Sequence, residues 1–242
     1  MRPGYVTISV DDGHPADLRT AELLDRHGLE ATFYVPARNP ERELLSEHDV
    51  RLLAQRFELG AHTYSHLPLA RMAREQARRE ILDGKAWLED VTGKPAIAFC
   101  YPRGKFTAET ARLVEEAGFL GGRTCFHNIV DFPRNRFAWG VSTQAFSHSR
   151  TIQVRHALLE RNGRGLLNYV AVHRLARDWE AHFGYALDYV GRRGGIAHLY
   201  VHSWETDELG EWPKLDRALA RVAGSGLEPA TNGELFARWG RG

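Results

Sequence analysis

The sequence predicts an α/β protein on a mostly parallel sheet, with seven or eight β/α units closing into a barrel. Three observations carry this expectation. The apolar period switches repeatedly between about 2 and about 3.6 residues, the signatures of strand and helix. No Pro/Gly/Ser-rich linker, close internal repeat or low-complexity stretch divides the chain. Its 242 residues also suffice for one barrel to bury a full core. Residues 1–242 therefore read as a single domain.

The first unit is VTISV (6–10), a short β-rich run, followed by ADLRTAELLDRHG, with helical spacing at Leu18, Ala21 and Leu24 and a stop at Gly28. ATFYV (31–35) leads to a helix starting near Ser46, which forms a capping pattern with Asp49. FELGA (57–61) precedes a long helix over roughly 70–91, and AIAFC (96–100) precedes a helix from Thr107 that stops at Gly118. GGRTC is the fifth strand candidate. The pattern then loosens into a loop over 126–150 with a strand candidate at WGVS, followed by helices near 151–161 and 168–191. Regular alternation returns with IAHLYV (196–201), a helix near 212–224, LEPA, and a last helix capped by Thr231 and Glu234.

Composition narrows the function classes. Hydrophobic residues make up 43% and charged residues 26%, too apolar for a disordered chain. Lys plus Arg number 32 against 31 Asp plus Glu, a net charge of +1 that provides no global field for nucleic acid or an anionic membrane. Cys100 and Cys125 show neither C-x-x-C spacing nor a disulfide framework, which favours a reducing compartment. The N-terminus enters a strand without an apolar signal core, and no segment is long enough to span a bilayer. A cytoplasmic location is therefore expected; the oligomeric state is not readable.

In a β/α barrel the chemistry lies at the C-terminal ends of the strands, and four strand candidates end in polar groups. Asp11 and Asp12 follow VTISV, His62 follows FELGA, the turn YPRG follows AIAFC, and His202 follows IAHLYV. Histidines occur four apart twice, in HTYSH (62–66) and HLYVH (198–202). Along one strand four residues span about 13 Å, which separates His198 from His202 too far for a shared ion. His66 lies beyond a turn and can fold back beside His62. With Asp12, these two imidazoles make an open zinc-type ligand set.

The four segments SVDDG (9–13), HTYSH (62–66), FCYPRG (99–104) and LYVHSWE (199–205) resemble, in order and approximate spacing, the successive motifs of the polysaccharide deacetylase family, the NodB-homology carbohydrate esterases. The resemblance runs over nearly the whole chain. It implies a distorted or incomplete (β/α) barrel and metal-dependent N-deacetylation of acetylated amino sugars. Carried over by position, Asp12, His62 and His66 ligate the metal, Asp11 is the catalytic base and His202 the catalytic acid. One position departs: many members carry a base-orienting arginine where this chain has Cys100, and Arg103 or Arg136 is the expected substitute. Arg103 alternatively binds an anionic substrate group or is merely solvated.

The residue types suit these roles chemically. A divalent cation acidifies water and polarises a carbonyl, a carboxylate takes a proton, and an imidazole returns one to a departing amine. Backbone N–H groups of the turn Tyr101, Pro102, Arg103, Gly104 are candidate oxyanion donors. Tyr101 and Trp204 are candidate sugar-stacking rings. Glu205 is either a substrate contact or an exposed carboxylate. Zinc is the default metal, with cobalt, nickel, manganese or iron able to use the same ligands. The expected substrate is a small molecule or oligosaccharide bearing an N-acyl group, with a deformylase or another small-molecule amidohydrolase as a variant. Two other readings remain: an iron oxygenase using two histidines and one carboxylate, and a non-catalytic carbohydrate-binding relative that keeps the ion.

Overall fold

The structure, a computed structural model, describes residues 2–239. The strands are β1 (Gly4–Asp11), β2 (Thr32–Val35), β3 (Glu58–Ala61), β4 (Ala98–Cys100), β5 (Gly121–Arg123), β6 (Thr143–Gln144), β7 (Gly195–Val201) and β8 (Glu228–Pro229). The α-helices are α1 (Asp17–Arg26), α2 (Glu47–Arg56), α3 (Arg74–Thr92), α4 (Ala108–Glu116), α5 (Arg150–Leu159), α6 (Gly163–Ala171), α7 (Trp179–Arg193), α8 (Ser203–Glu208), α9 (Trp212–Ala223) and α10 (Asn232–Trp239). Seven strands lie in the order β5-β4-β3-β2-β1-β7-β6, all parallel, and β8 pairs separately with β1. The sheet curls into a half-barrel, as the β/α alternation predicts. Residues 139–144 span the open side: Trp139 bridges Arg123 of β5, and Thr143 and Gln144 pair with Leu199 and Tyr200 of β7.

Strand alternation sorts the side chains into two layers. Val6, Ile8 and Val10 of β1 join the larger core, packed with the helices. On the other face of β1 come Tyr5, Thr7, Ser9 and Asp11, all buried. This inner face shares a second cluster with Tyr34, Ala98, Cys100, Trp139 and Ile196, closed at the bottom by Leu235 and Phe236 of α10. Gly121 makes this closure possible, since a Cβ there would lie 2.4 Å from the Phe236 ring. The polar members are hydrogen-bonded, as burial requires: Thr7 donates to Asn232 Oδ1 at 2.9 Å, Asn232 Nδ2 donates to the Tyr34 hydroxyl at 2.8 Å, and Ser9 Oγ pairs with His198 Nε2 at 2.9 Å.

Most expected elements form, including both expected caps: Ser46 accepts from Asp49 N at 3.2 Å, and Thr231 and Glu234 cap each other's backbone. Two differences have local causes. The helix expected over 168–191 is two helices, because Arg174 and Leu175 take left-handed φ values of 54° and 57° and Asp178 caps α7 by accepting from Ala181 N. The LEPA strand is only two residues long.

Candidate active site

The sequence brings Asp11 and Asp12 to one cavity through an unusual turn. Asp11 ends β1 facing inward, and the next two residues, Asp12 and Gly13, both have positive φ, 81° and 63°. The left-handed turn redirects the chain so that consecutive carboxylates face the same space. A second pair of left-handed residues, Thr63 (φ 63°) and His66 (φ 54°), folds 62–66 back on itself. The His62 and His66 rings then sit 4.8 Å apart.

Asp12, His62 and His66, all buried, place one potential ligand atom each within 4.8 Å of the others. Asp12 Oδ1 lies 3.1 Å from His66 Nε2 and 3.5 Å from His62 Nε2. His62 Nδ1 pairs with the Cys100 carbonyl at 2.8 Å, so this nitrogen carries the hydrogen and the Nε2 lone pair points to the ligand set. Burial lowers the His62 pKa and keeps the ring neutral. Burial pushes the Asp12 carboxyl up, but the charge of His202 and the adjacent His62 and His66 rings outweigh it and hold the carboxyl well below its usual range. Two imidazoles with an ionised carboxylate fit a divalent zinc-type cation. A second cluster, Asp11, His62 and Cys100, has comparable spacing, but Asp11 is committed elsewhere and burial pushes the Cys100 thiol well up, away from the thiolate a metal needs.

Asp11 is held by Arg123, whose Nη2 donates to both carboxylate oxygens. Arg123 ends β5, is fully buried, and stands beside Cys100 in the β4–β5 register. Its guanidinium also lies 4.8 Å from the Tyr200 ring and 5.3 Å from the Tyr34 ring. Neither expected substitute occupies this place. Arg136 pairs with Glu115 at 3.6 Å, and Arg103 pairs with Glu41 at the exposed rim. The sequence signal for it is an arginine within the GGRTC strand, whose burial only the structure shows.

On the opposite side stands His202, whose Nδ1 pairs with Glu205 Oε2 at 2.9 Å and whose Nε2 lies 3.8 Å from Asp12 Oδ2. Burial lowers the His202 pKa, yet the charge of Asp12 and the hydrogen bond to Glu205 overcome it and raise the value to about 9. Glu205 is neither an exposed carboxylate nor a free substrate ligand. It also accepts from Gln144 Nε2 at 3.0 Å, and its spacing, three residues after His202 at the start of α8, was the legible clue.

The turn after β4 departs from expectation. Tyr101 is fully buried, its hydroxyl donating to the Phe137 carbonyl at 3.0 Å, so its ring packs in the core and cannot stack on a ligand. Pro102 has no N–H, and the N–H groups of Tyr101 and Gly104 donate to the carbonyls of Arg123 and Tyr101. That leaves the Arg103 N–H, at φ 55°, as the turn's candidate donor. Trp204 donates from Nε1 to Asp12 Oδ2 at 2.9 Å, stacks on His202 and carries the Arg42 guanidinium 3.7 Å from its ring centroid. It steadies the Asp12 carboxylate rather than standing free to stack on a sugar. His198 stays in the layer below, bonded to Ser9.

These groups open on one cavity of about 410 Å³, whose far wall includes Lys105, His127, His156 and Glu160. A triad of potential metal ligands beside a fixed carboxylate and a fixed imidazole, at the C-terminal ends of parallel strands, is an arrangement that metal-assisted hydrolysis can use. The sequence profile of the polysaccharide deacetylase family matches residues 1–121, half of the chain, and the chain belongs to that family. It is 30% identical over 117 residues to a peptidoglycan-N-acetylglucosamine deacetylase of Bacillus cereus, covering 47% of this chain and 53% of the relative. A peptidoglycan deacetylase of Helicobacter pylori is 28% identical over 110 residues, 46% of this chain and 37% of the relative. The chain thus spans about half or less of these curated relatives. Among solved structures, a family 4 acetyl xylan esterase of Clostridium thermocellum holding a cobalt ion superposes with TM-score 0.61 at 19% identity, covering 97% of this chain and 91% of that one. A family 4 pseudoenzyme of Bacillus anthracis gives TM-score 0.59 at 17% identity, with coverage of 97% and 66%. At these identities the likeness is one of fold.

Proposed function

We propose that the protein is a metal-dependent N-deacetylase of an N-acetylated amino sugar or a glycoside containing one, with Asp12, His62 and His66 holding a divalent cation, zinc by preference. The observation that carries this reading is that base and acid are each locked by a separate partner, Asp11 by Arg123 and His202 by Glu205, on either side of the ligand triad. A bound cation supplies Lewis acidity to a carbonyl and acidifies water. Asp11 accepts the proton of the attacking water as its oxygen bonds to the acyl carbon. The Arg103 N–H, the turn's candidate donor, would stabilise the oxygen that gains charge. His202, protonated at neutrality in the metal-free protein, gives its Nε2 proton to the nitrogen as the C–N bond breaks, leaving acetate and a free amine.

A pseudoenzyme exists among the fold neighbours, but this chain keeps base, acid, ligands and a base-orienting arginine, which favours catalysis. The test is amine release from a panel of N-acetylated sugars, oligomers and N-formyl analogues, using metal-stripped protein and protein reloaded with zinc or cobalt. Metal-dependent release supports the reading, and preference for the formyl analogues moves it to a deformylase. No amine from any substrate, with metal bound and the fold intact, overturns it in favour of a binding protein.

A further inference from the structure

The two helices α5 and α6 are inside out. A surface helix normally buries its apolar stripe. On α5 the buried side chains are Gln153 and Ala157, while Ile152, Arg155, Leu158 and Leu159 face outward. On α6 Gly165, Asn168 and Tyr169 are buried, while Arg164, Leu167 and Val170 face outward. Leu158, Leu159, Leu167 and Val170 are 64%, 71%, 65% and 56% exposed, and among the described residues these two helices hold five of the seven large exposed hydrophobics. The helices cannot roll to hide them without breaking buried hydrogen bonds: Asn128 Nδ2 donates to Gln153 Oε1 at 3.3 Å, and Asn168 Nδ2 donates to the Asn128 carbonyl at 2.8 Å.

Charge says what covers this surface. Residues 150–177 contain six arginines and one glutamate in a chain whose net charge is only +1, so positive charge is concentrated here. All six arginines are exposed. Exposed leucines interleaved with arginines match a surface that is apolar just beneath a layer of negative charge. A second copy of this chain fits less well, because self-pairing would oppose two strongly basic faces. No described helix is long and apolar enough to cross a membrane, which leaves binding in the interfacial plane. We propose that the α5–α6 hairpin docks on an anionic lipid bilayer, setting its outward leucines among the headgroups. Leu159 and His156 of α5 also line the cavity, so docking brings the cavity mouth to the lipid surface. The proposal goes beyond the deacetylase reading and is tested without turnover.

The measurement is co-sedimentation of the full chain with vesicles of phosphatidylcholine alone or mixed with phosphatidylglycerol. Binding to the mixed vesicles, weak binding to the neutral ones and release by salt are expected. Leu158→Gln with Leu167→Gln should lower partitioning at least about tenfold, and Arg155→Gln or Arg161→Gln about fivefold each. Both are exposed substitutions, so unchanged thermal unfolding will confirm an intact fold. No binding to the anionic vesicles overturns the proposal. A concentration-dependent dimer that disappears in the leucine variant, without vesicle binding, also overturns it and assigns the face to a second copy.

Discussion

Arg123 grips Asp11 from β5, one strand over from Cys100, with which it pairs in register. Neighbouring inward positions on parallel strands address nearly the same point in the barrel, so an arginine at either can reach the carboxylate. Arg123→Cys should lower kcat by about 10² or more, within the range for loss of an oriented base. It should also destabilise by about 3–5 kcal/mol, because Asp11 is left buried without its partner. The exchange Cys100→Arg with Arg123→Cys separates orientation from folding and should recover about tenfold or more over Arg123→Cys alone, as coupled neighbours do. Arg136→Ala should leave kcat nearly unchanged. Equal loss in Arg136→Ala and Arg123→Cys would refute the assignment.

The barrel and the convergence of Asp11, Asp12, His62, His66 and His202 were legible because strand periodicity and the strand-end rule act locally. Arg123 was not, since its role depends on the β4–β5 register, a pairing between residues 23 apart. Tyr101 misled for the same reason. An aromatic beside a turn looks available, and only packing against Phe99 and Phe106 reveals it as core. The choice between the histidine pairs needed only geometry: four residues on β7 separate two layers of the barrel, whereas the left-handed residues at 63 and 66 fold the other pair together.

Metal content distinguishes the two pairs directly. Asp12→Asn and His62→Ala each remove a donor from the buried set and should lose bound zinc on dialysis, measured by atomic absorption. His198→Gln should retain zinc, because His198 faces Ser9 below the site. Its expected cost is in stability, about 1–3 kcal/mol for disturbing a buried hydrogen bond. Equal zinc loss in His198→Gln and His62→Ala would sink the ligand choice.

Asp17 is a separate liability. It is fully buried in the first turn of α1, with no well-formed hydrogen bond to either carboxylate oxygen among the described residues, and burial, with the charges of Asp12 and Asp11, outweighs the nearby Ser203 hydroxyl and raises its pKa well above the usual value. The folded state therefore binds a proton that the unfolded state releases, and stability falls as pH rises from about 4 toward the folded pKa. Asp17→Asn removes that dependence. The Tm advantage of the variant should be small at pH 4 and should widen toward pH 8 in scans of metal-free protein. A constant gap across that range would mean that folding does not raise the Asp17 pKa.

Glu205 holds His202 through its Nδ1. In metal-free protein His202 titrates at about 9, upheld against burial by Asp12 and Glu205. Its raised value favours the folded state fully below about 6.5, and that contribution is lost as pH climbs through 9. Glu205→Gln removes one of the carboxylates that raise it, so the His202 ring resonances, followed by NMR in metal-free protein, should titrate at lower pH than in wild type. Zinc at Asp12 offsets the charge of that carboxylate and should move the titration down as well. With metal bound, kcat/KM should fall on the alkaline side if His202 is the acid and deprotonates. Glu205→Gln should shift that limb to lower pH while zinc content stays intact. His202→Ala should flatten the limb and cost about 10² to 10⁴ in kcat. If the limb stays in place in both variants, His202 does not deliver the proton, and the group that titrates there lies elsewhere in the cavity.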